Sequence, residues 1–136
     1  MKKVLFLCTG NSCRSQMAEG FARTAAPPGI EIYSAGVEAH GLNPRAVAVM
    51  AEVGVDIRQQ TSKTLAEIPA DEIDTVITLC GDAAERCPVF PGAVTREHWA
   101  LTDPAGVEGS EEAVLEVFRS VRDELERRVR DLLVPG

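Results

Sequence analysis

Val4-Leu5-Phe6-Leu7-Cys8-Thr9-Gly10-Asn11-Ser12-Cys13-Arg14-Ser15 is the stretch that decides the reading of this chain. Its unbroken apolar run, Val4 to Leu7, has the length of a strand buried on both faces. Small and polar residues then interrupt the run and mark a turn. From residue 15 to 26, Met17, Ala18, Phe21, Ala22 and Ala25 recur at helical spacing. Strand, short loop and helix in that order place Cys8 at the carboxyl end of a strand, where open parallel sheets bind ligands.

The loop has the composition of an anion nest. A glycine and short polar side chains let the backbone turn tightly and aim successive N–H groups inward, and a helix N-terminus adds partial positive charge. Thr9, Gly10, Asn11, Ser12, Cys13, Arg14 and Ser15 are therefore the candidate oxyanion-binding set. Arg14 can close two oxygens of a tetrahedral anion with its planar fork. The same positive surroundings favour the thiolate, the nucleophilic form of Cys8. Asn11, Ser12 and Ser15 also suit turn and cap positions, a role compatible with anion binding.

Working outward, Ile30-Glu31-Ile32-Tyr33, Thr75-Val76-Ile77-Thr78-Leu79 and the weaker Ala93-Val94-Thr95 read as further strands. A second helix is capped by Asn43, has Pro44 in its first turn, runs through Val47 and Met50 and stops at Gly54. A last helix starts near Ser110, with Glu111 and Glu112 in its first turn, and aligns Val114, Phe118, Val121, Leu125 and Val129. It ends among Arg127, Arg128 and Arg130, so both ends suit the helix dipole. Alternating strands and helices predict an α/β fold: a single domain over residues 1–136 with a four-stranded parallel sheet and helices on both faces.

Composition narrows the function. The formal charge of −7 is unevenly spread: residues 1–69 carry seven Lys/Arg and six acids, and residues 70–136 carry seven Arg and fifteen acids. Nucleic acid is not an expected partner, and an anion site must be local because the overall field opposes it. The N-terminal apolar run is shorter than a signal segment and no stretch is long enough to span a bilayer, so no membrane association and a cytoplasmic location are expected. In that reducing compartment the four cysteines read as catalytic or metal-binding rather than as a disulfide framework. Spacings of four and six between neighbouring cysteines do not make a zinc knuckle, and the two histidines have no metal spacing; no metal or other cofactor is expected.

Cys8 to Ser15 with Gln16-Met17-Ala18-Glu19-Gly20 resembles the thioredoxin-coupled arsenate reductases built on the low-molecular-weight protein tyrosine phosphatase fold. The likeness continues through Tyr33-Ser34-Ala35-Gly36, His40-Gly41-Leu42-Asn43-Pro44, Thr78-Leu79-Cys80, Cys87-Pro88, His98-Trp99 and Asp103-Pro104-Ala105-Gly106. It implies an enzyme reducing arsenate to arsenite. Cys8 makes the arseno adduct, Cys80 attacks Cys8 and expels arsenite, and Cys87 attacks Cys80, leaving a disulfide for thioredoxin. Asp103 resembles the family's general acid, although an Asp-Pro pair is also an ordinary turn. Arsenate is the implied substrate, with phosphate and sulfate as competitors, and the chain is expected to be a monomer.

Two features favour reduction over the alternative, a low-molecular-weight phosphatase using a Cys8 phosphoenzyme. Reducing arsenate takes two electrons, which thiols supply in pairs, whereas ester hydrolysis needs one cysteine. The phosphatases usually continue Asp-Pro with Tyr, where this chain has Ala105. Asn11, Glu19 and Ser34 match positions that hold potassium in some relatives. Lys63 stands at the fourth, acidic position, so its ammonium is expected to neutralise Glu19 in place of a metal. Cys13 is read as a loop-packing residue, His40 and His98 as packing or surface residues, and Trp99 and Phe118 as core. Finally, a helix over residues 81–87 would hold Cys80 and Cys87 about 10.5 Å apart at 1.5 Å per residue. A disulfide needs Cα atoms about 4.4 to 6.8 Å apart, so this segment is expected to unwind on oxidation.

Overall fold

A computed structural model describes residues 2–79 and 95–133. The expected helix over 81–87, both Cys80 and Cys87, and the first two residues of the expected strand at 93–95 lie outside the described residues. Four strands form one sheet: β1 (Lys2–Cys8), β2 (Ile30–Gly36), β3 (Thr75–Thr78) and β4 (Thr95–His98), in the order β2-β1-β3-β4. Every neighbouring pair is parallel. Among the described residues three α-helices accompany them, α1 (Arg14–Ala25), α2 (Pro44–Glu52) and α3 (Glu111–Leu133).

The central position of β1 follows from its sequence. Val4, Leu5, Phe6 and Leu7 are each at most 1% exposed, so side chains on both faces of this strand are covered, as a continuous apolar run requires. β4 is the opposite case. Its residues Thr95-Arg96-Glu97-His98 are all exposed, and it holds its place through backbone pairing, with Thr95 N–H donating to Asp74 O and Trp99 N–H to Thr78 O, both at 2.9 Å. Polar residues on an edge strand leave no apolar pattern to read, which is why the sequence reading ends at Thr95 while the strand runs on to His98.

The helices are built as their patterns predict. Asn43 Oδ1 caps α2 by accepting from Arg45 N–H at 2.8 Å and Ala46 N–H at 3.3 Å, and Gly54 takes a φ of 80° just beyond the helix end. α3 buries Val114, Phe118, Val121, Leu125 and Val129 on one stripe. It packs along α1, and α2 touches both. Trp99 is buried with its ring centroid 5.9 Å from that of Phe6, joining the end of β4 to the central strand. No helix among the described residues is long and apolar enough to cross a membrane.

Candidate active site

The chain leaves β1 at Cys8 and enters α1 at Arg14, and the intervening loop is fixed by where its carbonyls go. Those of Cys8, Thr9 and Gly10 accept from Val37, Glu38 and His40 N–H at 3.2, 2.9 and 2.9 Å. The Asn11 carbonyl accepts from Gln16 Nε2 at 3.1 Å, that of Ser12 from Asn43 N–H at 3.1 Å, and that of Cys13 from Met17 N–H at 2.9 Å. In a trans peptide the N–H points opposite to the C=O. Six carbonyls turned outward into the protein therefore turn the N–H groups of residues 9 to 14 the other way, as a nest requires.

Two glycines permit this packing. A Cβ on Gly36 would stand 2.7 Å from Thr9 O and 2.8 Å from Asn11 N, and one on Gly10 would strike the His40 ring. Asn11 makes the turn with a φ of 48°, a left-handed conformation that asparagine tolerates better than most residues. Its amide is satisfied on both ends: Nδ2 donates to Ser15 Oγ at 2.8 Å and Ser34 Oγ at 3.0 Å, and Oδ1 accepts from Lys63 N–H at 2.8 Å.

A cavity of about 220 Å³ opens above the loop, lined by Cys8, Thr9, Gly10, Ser12, Cys13, Arg14, His40, Asp103 and Ala105. The Cys8 sulfur is buried and lies 2.9 Å from Ser15 Oγ. Because Asn11 Nδ2 already donates to that hydroxyl, the Ser15 proton can be directed at the sulfur and stabilise a thiolate there. Cys13 also faces the cavity, but burial pushes its thiol up to about 11, which keeps it protonated and unreactive near neutral pH.

Arg14 is nearly buried, and its Nη1 donates to the carbonyls of Leu79 at 3.0 Å and Leu101 at 3.1 Å. Two main-chain anchors on one nitrogen hold the guanidinium in place. Its Nη2 lies 3.7 Å from Asp103 Oδ2. Asp103 itself caps the short turn Pro104–Gly106, its Oδ1 accepting from Ala105 N–H at 3.1 Å, and its side chain remains 54% exposed. The turn role and a position on the cavity rim therefore coexist in one residue.

Beneath the loop, Glu19 is buried and accepts from Ser34 Oγ, and Arg23 Nε donates to it at 2.7 Å. Lys63 Nζ stands 3.8 Å from Glu19 Oε1 and donates to Thr61 O at 2.6 Å. Two cations thus share Glu19, and the nearer one is Arg23. No group of three potential metal-ligating side chains occurs among the described residues.

The structure brings Cys8, the loop, Arg14 and Asp103 around one cavity and sets Asn11, Ser15, Glu19, Ser34 and Lys63 behind it. Sequence reasoning missed five participants. The Leu79 and Leu101 carbonyls that hold Arg14 leave no side-chain signature. His40 reaches the cavity wall only through the path of the 36–43 segment. Gln16 has no exposed surface, and its partners Asn11, Thr61 and Gln60 come together only in the fold. Arg23 alone carried a signal, its spacing of four residues from Glu19 on one helix face.

Comparison with known proteins agrees with this geometry. The family model described as low molecular weight phosphotyrosine protein phosphatase matches residues 3–135. An arsenate reductase of Bacillus subtilis is 51% identical over 135 residues, covering 99% of this chain and 97% of the relative. A solved arsenate reductase in the phosphate-binding state superposes with a TM-score of 0.84 at 45% identity, covering 98% of this chain and 97% of that one. An arginine phosphatase solved with a phosphorylated active-site serine gives a TM-score of 0.77 at 27% identity, over 96% of this chain and 93% of that one. With a match that begins in the first strand and ends beyond the last helix, the chain belongs to the low-molecular-weight phosphotyrosine protein phosphatase family.

Proposed function

We propose that this protein is an arsenate reductase in which Cys8 is the nucleophile and Cys80 and Cys87 carry the electrons to thioredoxin. The observation that carries the reading is the placement of a buried Cys8 sulfur at the base of a nest of N–H groups, with Arg14 and Asp103 on the same cavity. Leu79 adds to it, because the residue joined directly to Cys80 holds Arg14 through its carbonyl. The relatives named arsenate reductase support the same choice.

The chemistry balances as follows. The Cys8 thiolate attacks arsenic, an As–O bond breaks, and the departing hydroxide takes a proton from Asp103 to leave as water. Arg14 and the nest hold the remaining oxygens. Cys80 then attacks the Cys8 sulfur, the S–As bond breaks, and its electron pair stays on arsenic, which leaves as arsenite. Cys87 attacks Cys80 and frees Cys8, and two electrons from the thioredoxin dithiol reopen the Cys80–Cys87 disulfide. Arsenate is the substrate, phosphate and sulfate compete for the nest, and a monomeric single domain suffices.

Phosphoester hydrolysis through a Cys8 phosphoenzyme is the second reading, favoured by the family description and the shared Cys8, Arg14 and Asp103. Ala105 on the cavity wall offers no ring to stack on a phosphotyrosine. Incubation with arsenate, thioredoxin, thioredoxin reductase and NADPH decides between them. Arsenate-dependent NADPH oxidation is expected; aryl phosphate hydrolysis without it would replace the first reading by the second. Lys63 completes the proposal as an internal cation beside Glu19, making potassium unnecessary.

A further inference from the structure

Gln16 is the third residue of α1, and its side chain is fully buried against the back of the oxyanion loop. Its Nε2 lies 3.1 Å from Asn11 O, 3.0 Å from Asn11 Oδ1 and 3.0 Å from Thr61 O. Gln60 Nε2 in turn donates to Gln16 Oε1 at 2.8 Å and to the Gln16 carbonyl at 2.9 Å. These bonds leave the amide one orientation. Asn11 Oδ1 is committed as an acceptor by the Lys63 N–H, so Gln16 must present its NH₂ to it. The Gln16 oxygen then needs a donor, which is Gln60.

The anchored residue is the one on which the loop turns. Among the described residues Asn11 is the only non-glycine residue with positive φ, a conformation disfavoured for L-residues. Gln16 is the side chain that holds both its carbonyl and its amide. We infer that Gln16 is a positioning residue for the oxyanion loop: it keeps Asn11 in the left-handed turn that makes the flanking N–H groups converge on one anion, and Gln60 holds it there. Gln60 lines an open cavity of about 500 Å³ on the other side, with Thr61 and Lys63, so loop geometry is tied to a surface segment 44 residues along the chain.

The test uses Gln16→Met, which keeps the length and removes both polar ends. Peptide-level mass spectrometry follows alkylation of Cys8 by iodoacetamide under increasing inorganic phosphate, alongside arsenate kinetics. A displaced nest should raise the phosphate concentration for half-protection about 10²-fold, as small misplacements at reacting centres do. Arsenate KM should rise with it, while thioredoxin reduces the oxidised protein at the native rate. Gln60→Leu, at a half-buried position, should shift protection less in the same direction, and the double variant should be no worse than Gln16→Met because the two act in series. Half-protection within twofold of native in Gln16→Met overturns the assignment, as does full additivity in the double variant. If Gln16→Met fails to fold, Gln60→Leu decides alone: a shift supports the assignment and native protection overturns it. The turnover measurement rests on the arsenate reading, and the protection measurement does not. A native protein that binds phosphate but does not turn over arsenate would sink the function and leave the positioning assignment standing.

Discussion

The two walls of the cavity are built on different principles. On one, Cys8 and Arg14 are buried, and Asn11 and Ser15 behind them tie the loop to Ser34 of the sheet, to α1 and to Lys63. On the other, Asp103 and His40 are exposed; Asp103 rests on a three-residue turn, and His40 is paired with Glu38 at 2.6 Å. Anion binding gains from donors that need no reorganisation, which calls for a rigid wall. Proton delivery needs exchange with solvent at each cycle, which calls for an open one. In the mechanism proposed above, binding and nucleophilic attack would fall to the first wall and acid chemistry to the second.

The sharpest way to break that division is Cys8→Ser. Arsenate turnover should vanish while phosphate binding by calorimetry stays near native, because the nest and Arg14 remain. Turnover by this variant would remove Cys8 as nucleophile. Arg14→Lys should also be severe and should weaken competition by phosphate and sulfate, since a point charge cannot use both the Leu79 and Leu101 anchors and still clamp an anion.

On the open wall, Asp103→Asn keeps the shape and removes the proton. Turnover should fall about 10²- to 10⁴-fold with phosphate affinity unchanged. An unchanged rate would leave Asp103 as a turn residue, the role its bond to Ala105 N–H already gives it.

Smaller effects sharpen the account of the loop's support. Because Lys63 and Arg23 both face Glu19, added potassium should alter activity little, and Lys63→Asp should create a potassium dependence. Strong activation of the native enzyme by potassium over sodium would remove Lys63 from this role. Cys13 supplies a stability test. Its thiol is raised from 9.0 to about 11 by burial, so the folded state favours the neutral form. The stabilisation is present below pH 9 and is lost as pH rises through 11, amounting to roughly 2 to 3 kcal/mol at most. Urea midpoints measured between pH 9 and 11 should fall less steeply in Cys13→Ala than in the native protein.

Much of this was legible in the residues. The run from Val4 to Leu7 announces a strand covered on both faces, the small polar residues after it announce a tight loop, and Asn43-Pro44 announces a helix start that the structure reproduces bond for bond. These features are local, set by hydrophobic period and backbone preference over a few residues. β4 was harder, because polar residues on an edge strand are placed by backbone pairing to β3 and carry no period.

The sequence by itself determined the strand, loop and helix around Cys8 and the residue types able to hold a tetrahedral anion. Only the tertiary structure decided how the loop is held. The Leu79 and Leu101 carbonyls reach Arg14 from 65 and 87 residues away, and Lys63 N–H reaches Asn11 from 52. Backbone groups are the same at every residue, so nothing in their side chains marks which of them will meet the loop. That choice is made when β1, β3 and β4 pair and Gly36 at the end of β2 takes the Lys63 carbonyl, bringing distant segments to the loop.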